Sequence, residues 1–168
     1  MGRNEERFNG QASRPSDTVP SYPGGQKVLT RVDFYQIESD EDPMLFTCRL
    51  IDKVYRKGHQ IYIHTQNEQD SSTLDDLLWT FRPERFIPHC RYTNKIEAPI
   101  KIGCHSEPEE HQDVLVNMAS QVPDFFSRFE RVAEIVPRSE SSRDQARTNF
   151  RFYQERGYPL QYHKMAAQ

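Results

Sequence analysis

Two hydrophobic periods run along this chain and alternate with each other. "RVDFYQI" (Arg31–Ile37) interleaves β-branched and aromatic residues with polar ones, the period-two signature of a strand. "HQIYIHT" (His59–Thr65), "APIKIG" (Ala98–Gly103), "DVLVNM" (Asp113–Met118) and "RVAEIV" (Arg131–Val136) are further expected strands, with a terminal one at Leu160–His163. Between them the period lengthens. In "EDPMLFTCRLIDKVYRKG", Asp42 suits a cap, Pro43 the first helical position and Gly58 the stop. Met44, Thr47, Cys48, Ile51, Val54 and Tyr55 then share one helical face. "SSTLDDLLW" (Ser71–Trp79) predicts a second helix, with Ser72 and Asp75 in a capping-box arrangement. A helical turn is expected at Pro123–Arg128, and a last helix through "SESSRDQARTNFRFYQERG", stopped by Gly157. Strands alternating with helices imply one three-layer α/β/α domain, Rossmann-like, with a mostly parallel sheet over residues 29–168. No internal repeat is visible.

Two stretches depart from this rhythm. Residues 1–28 hold four glycines and three prolines among polar residues, with few apolar ones, and are expected to form a disordered leader. "LWTFRPERFIPH" (Leu78–His89) sets Trp79, Phe81, Phe86 and Ile87 among two prolines and two arginines. Pro83 and Pro88 oppose a continuous helix or central strand, so the stretch reads as a loop carrying the chain's only tryptophan. Large apolar side chains in such a loop either pack beneath the sheet edge or anchor a partner.

Composition narrows the classes. The chain has 168 residues and a mean hydropathy of −0.88, enough for one domain with a real core. Nothing approaches the ~18 consecutive apolar residues of a membrane span. Three widely spaced cysteines, Cys48, Cys90 and Cys104, argue against a disulfide framework and for a reducing cytoplasm. The net charge of −3 is unevenly spread. From Pro137 onward six cations face three carboxylates, so an end of net charge +3 follows a remainder of −6. Such an end suits an anionic partner.

Candidate chemistries fall away in turn. Phosphate loops need clustered glycines before a helix, whereas Gly58, Gly103 and Gly157 are isolated and the first strand runs into "ESDEDP". Nucleotide cofactors are therefore not expected. His89-Cys90 and Cys104-His105 lack the spacing that closes a zinc site, because adjacent residues on an extended chain point apart. No GxSxG elbow is present, and the chain does not read as an enzyme. Arg143, Arg147 and Arg151 recur every fourth residue as a guanidinium ridge, beside a core-facing stripe of Ala146, Phe150 and Tyr153. That ridge is either a solvated face or a groove for carboxylates or phosphates.

Taken together and in order, "RVDFYQI", "LDDLLWTFRPERFIPH", "API", "DVLVN", "RVAEIV" and "QARTNFRFYQERGYPL" resemble the chi-subunit family of bacterial DNA polymerase III, from about Thr30 to His163. The resemblance implies a Rossmann-like, non-catalytic accessory domain without cofactor or metal. It implies one surface for the psi subunit, which links to the clamp loader, and another for the acidic C-terminal tail of single-stranded-DNA-binding protein. By motif, Trp79 and Phe86 fall at psi-facing positions, with Phe81 and Ile87 beside them; a helicase-like partner competes for that surface. Arg147 and Arg151 fall at tail-binding positions, with Phe150 and Val136 adjacent and Arg143 extending the ridge. A family member carries Tyr and Lys where this chain has Phe150 and Arg151, so charge and aromatic face persist without that phenol. The tail's aspartates suit a guanidinium fork, and its terminal Phe suits an apolar pocket. Direct nucleic-acid binding by the arginine helix is the rival reading, with an unrecognised α/β enzyme behind it; overall acidity counts against the first.

Overall fold

The computed structural model describes residues 29–93, 96–109 and 112–166. The leader expected over residues 1–28 lies outside the described residues. Among the described residues there are seven strands: β1 (Arg31–Ile37), β2 (Ile61–His64), β3 (His89–Arg91), β4 (Ile100–Gly103), β5 (Val114–Asn117), β6 (Arg131–Val136) and β7 (Leu160–Met165). Three helices accompany them: α1 (Pro43–Arg56), α2 (Glu68–Thr80) and α3 (Glu140–Glu155), with a 3-10 turn at Phe126–Arg128. The strands form one sheet in the order β3-β4-β2-β5-β6-β1-β7. Every pairing is parallel, for example Val32 beside Val132 and Leu160. The fold is the expected single α/β Rossmann-like domain.

Each face of the sheet has its own core, because parallel strands are covered on both sides. Ile61, Ile63, Ile100 and Ile102 pack against Cys48 and Ile51 of α1 and Leu74 and Leu78 of α2. On the opposite face Val32, Phe34, Tyr62 and Val132 pack against Ala146 and Tyr153 of α3. The second core is built largely of rings; Phe126 meets Tyr153 edge-on at 5.2 Å. Three layers follow directly from these two contact sets.

The capping chemistry explains where the helices begin. Asp42 accepts from the Met44 amide (2.9 Å) and Pro43 occupies the first turn of α1. Lys57 ends α1, and Gly58 follows at φ +93°, where glycine carries no Cβ penalty. α2 starts earlier than the Ser72–Asp75 box suggested. Asn67 caps it, accepting from the Asp70 amide at 2.8 Å, while Ser71 is buried and shares a 2.6 Å hydrogen bond with Thr65. Asn and Ser are comparable caps, so the position of the preceding strand decides between them. α2 also runs through Thr80, so Trp79 belongs to its last turn rather than to a loop. The short strand β3 was not legible beforehand. It follows Pro88 and, among the described strands, pairs with β4 alone, His89 opposite Ile100.

Candidate functional site

At the β3 edge, two rings stand out in solvent. Trp79 is 48% exposed and Phe86 68%, with ring centroids 5.7 Å apart. His89 of β3 backs the indole at 4.2 Å and is itself fixed by the carbonyls of Ile87 and Asp75. The loop between α2 and β3 is pinned from below. Asp52 of α1 is buried and accepts from Arg85 Nη1 (2.6 Å), with Arg56 Nε at 2.8 Å and Arg82 at 3.6 Å. Three cations about one carboxylate leave positive charge beside the apolar rings.

The other two aromatic-stretch candidates sit differently. Ile87 is 1% exposed and belongs to the α1/α2 core, so the structure removes it from any contact surface. Its side chain alternates inward from Phe86 as the chain enters β3. Phe81 is half-buried against the same core, with the Arg82 guanidinium 5.8 Å from its ring. Ile96, exposed near β3 through the Cys90 thiol's 3.3 Å contact to its carbonyl, adds apolar surface that the sequence motif did not point to.

The opposite edge of the sheet is cationic. Arg143, Arg147, Phe150 and Arg151 of α3 line one groove of about 560 Å³ with Gln36, Gln154, Tyr162 and Lys164. The helix supplies the ridge by its fourfold spacing, and β7 supplies the facing wall. Phe150 lies between the two, 5.4 Å from Phe34 and 6.0 Å from Tyr162. The Tyr162 hydroxyl donates to Gln36, so a phenol is present in the groove although position 150 is Phe. Burial raises the Tyr162 pKa, opposed by Arg143 and Arg147, which keeps it a neutral donor at ordinary pH.

The three arginines are not equivalent. Arg143 Nη2 donates to Glu38 (2.9 Å) and to the Ile37 carbonyl (3.3 Å), tying α3 to the end of β1. A hydrogen bond from Gln36 holds the Glu38 carboxyl below its usual range, helped by Arg143. Arg147 pairs with Asp144 one turn back, both side chains about two-thirds exposed. Arg151 has no carboxylate partner among the described residues. Exposed pairs of this kind contribute about 0–1 kcal/mol, so an incoming carboxylate can replace Asp144 at small cost.

Val136 does not line this groove. It is buried in the aromatic core, on the rim of a neighbouring cavity of about 380 Å³ with Ser142, Gln145 and Asn149. Its part is to support the floor, since residues 132, 134 and 136 of β6 all point toward α3. Next to it, Glu134 is buried and accepts from Tyr153 (2.6 Å) and Asn117 (3.1 Å). Burial pushes its carboxyl up to about 7 despite those two donors. Gln36, Tyr162 and Lys164 were missed by sequence reasoning, because only the pairing of β7 with β1 brings them beside α3.

Among the described residues, no group of His, Cys, Asp or Glu could hold a metal ion. Cys104 instead donates to Glu68 (3.1 Å), and all three thiols are buried and free. No described helix is long and apolar enough to cross a membrane. The acidic turn after β1 spends its carboxylates on α1, α3 and the residue before the α3 cap: Glu41 on Arg49, Glu38 on Arg143 and Asp40 on Arg138.

Fold and surfaces together define a Rossmann-like α/β domain with an apolar aromatic patch and a cationic groove at opposite edges of one parallel sheet. The chain belongs to the DNA polymerase III chi subunit family (HolC), whose model matches residues 29–161. It is 45% identical over 140 residues to the DNA polymerase III subunit chi of Pseudomonas aeruginosa, covering 82% of this chain and 98% of that one. The chi subunits of Haemophilus influenzae and Escherichia coli are each 26% identical over 116 residues, 67% of this chain and 81% and 79% of theirs. The resemblance carried by the quoted motifs is thereby upheld, and the family places the chain among the replication subunits of DNA polymerase III.

Proposed function

We propose that the chain is a non-catalytic bridge within the replication machinery. Its aromatic edge docks the psi subunit of DNA polymerase III, or a helicase that competes for the same surface. Its arginine groove takes the acidic, Phe-ended tail of single-stranded-DNA-binding protein. The observation that carries the reading is the separation of two chemically opposite surfaces. Trp79 and Phe86 stand exposed beside β3, whereas Arg147, Phe150 and Arg151 line the groove beside β7. Six strand spacings of ~4.8 Å put these edges on the order of 30 Å apart, so both can be occupied at once.

Each surface suits its partner by a different force. The aromatic pair gains by removing apolar area from water, at about 25 cal/mol per Å². The groove gains by replacing Asp144 and solvent with several carboxylates at once, while Phe150 and Tyr162 offer ring faces to a terminal Phe. Such a contact is micromolar in order of magnitude and weakens with salt. Residues 29–168 act as one domain, working in the cytoplasm without cofactor or metal.

The test is a double dissociation with the full chain. Trp79→Ala should lose psi and keep the tail peptide; Arg147→Ala should do the reverse. If both variants lose both partners, or neither loses any, the two-surface reading is wrong. Tight binding of an oligonucleotide alone, steeply weakened by salt, would instead favour direct nucleic-acid recognition.

A further inference from the structure

A third concave surface lies on the sheet face opposite the arginine groove. α2 covers the β3 and β4 side of that face and α1 its middle; beyond α1, no helix among the described residues covers β1 and β7. The result is a trough of about 320 Å³ between α1 and the sheet, within the ~300–1,000 Å³ range of ligand sites. Tyr35, Leu50, Val54, Val116, Ala133 and Met165 make it apolar. Arg49, Lys53, Lys57 and Arg131 rim it with charge.

Two of these four charges are paired and two are not. Arg49 pairs with Glu41, and Arg131 Nε donates to Asp33 at 3.0 Å. Asp33 is also met by His163 at 3.0 Å and by Arg31 at 3.6 Å, so its carboxylate is fully engaged. Asp113, at the same end of the sheet, accepts from the Gln60 amide at 2.8 Å. Lys53 and Lys57 have no carboxylate partner among the described residues. The trough therefore offers an apolar floor beneath a rim on which Lys53 and Lys57 are uncompensated.

Spacing specifies the occupant further. Arg49, Lys53 and Lys57 recur every fourth residue, so they rise by about 6 Å each along α1. In an extended peptide, side chains on one face recur every second residue, about 6.6 Å apart. Carboxylates at alternate positions therefore match Lys53 and Lys57 in register, with Arg49 next in the row but already paired with Glu41, while the intervening side chains point to the floor. A small anion would meet only one cation and leave most of the trough empty.

We propose that this trough docks an extended acidic segment of a protein partner, one whose carboxylates alternate with apolar side chains. The site is separate from the arginine groove and does not depend on its assignment. The probe is a synthetic six-residue peptide alternating Glu and Leu, titrated into the isotope-labelled full chain while backbone amide signals are followed. Saturating shifts at Leu50, Lys53, Val116 and Ala133 are expected. They should persist in Arg147→Ala, which disables only the other groove. In the double variant Lys53→Gln, Lys57→Gln, binding should weaken tenfold or more with the melting temperature lowered by no more than a few degrees, both lysines being exposed at the C-terminal end of α1. The proposal is overturned if these amides do not shift or if the double variant binds as well as wild type. It also fails if a Glu–Ser control peptide shifts the same amides with equal affinity, because the apolar floor then plays no part.

Discussion

The aromatic edge and the arginine groove present opposite chemistries at the two edges of one sheet. At β3 the protein exposes Trp79 and Phe86 and locks their support, through Asp52 and Arg85 below and His89 behind. Little needs to be ordered when a partner arrives, so most of the buried apolar area counts toward affinity. Beside β7 the protein exposes charge on long, rotatable side chains, two of them already paired, Arg143 with Glu38 and Arg147 with Asp144. Ordering and desolvation there offset much of the Coulomb gain, but encounter is steered from a distance. On the proposed reading, the difference teaches that one small domain could hold one partner firmly and exchange another rapidly, without any moving part.

The largest effect that could break the comparison is at the indole. Trp79→Ala should cost psi binding about 2–4 kcal/mol, the range of an aromatic hot spot, and leave the tail peptide unaffected in calorimetry. Next comes Arg147→Ala, which should weaken the tail peptide tenfold or more, about 1.4 kcal/mol, with psi unchanged. Ionic strength separates the two without mutation. Going from about 0.1 M to 1 M shortens the Debye length from ~10 Å to ~3 Å, which should weaken the tail several-fold and leave the aromatic contact intact.

A fourth prediction concerns the floor beneath α3. Glu134 has its carboxyl raised to about 7 by burial, so the folded state favours the protonated form. Its contribution to stability is complete below the ordinary carboxyl range near 4.5 and is lost as pH rises through about 7. Glu134→Gln should therefore flatten the fall in melting temperature between those limits, a change of a few degrees on the scale of about 2–8 °C per kcal/mol. The smallest effect is at Asp144. Removing its charge as Asp144→Asn should tighten the tail peptide by at most about fivefold, the ~1 kcal/mol ceiling for an exposed pair.

Much of this architecture is legible in sequence because its causes are local. Pro43 after Asp42 announces α1, the four-residue repeat of Arg143, Arg147 and Arg151 announces a ridge, and the alternation of Val32 and Phe34 announces a buried strand. What escapes is non-local. Tyr162 and Lys164 join the groove only because β7 pairs with β1 across more than a hundred residues. Val136 and Ile87 carry the right apolar chemistry for a contact surface, yet strand parity turns one into the core below α3 and the other into the core below α2. Asn67 rather than Ser72 caps α2, and Ser71 instead meets Thr65, the residue after β2, a contact between side chains six residues apart. Periodicity gives the face a residue occupies, but not the depth of the layer covering that face.

The central claim is that both edges can be held at the same time. It is tested most directly by saturating the chain with the psi subunit and then titrating a fluorescent acidic, Phe-ended tail peptide into the complex. Two surfaces about 30 Å apart on a rigid sheet predict a ternary complex with a tail affinity within about twofold of that for the free chain, below ~0.5 kcal/mol. Loss of tail binding once psi is bound, with psi displaced as peptide is added, would show that the partners share one surface and would contradict the bridge.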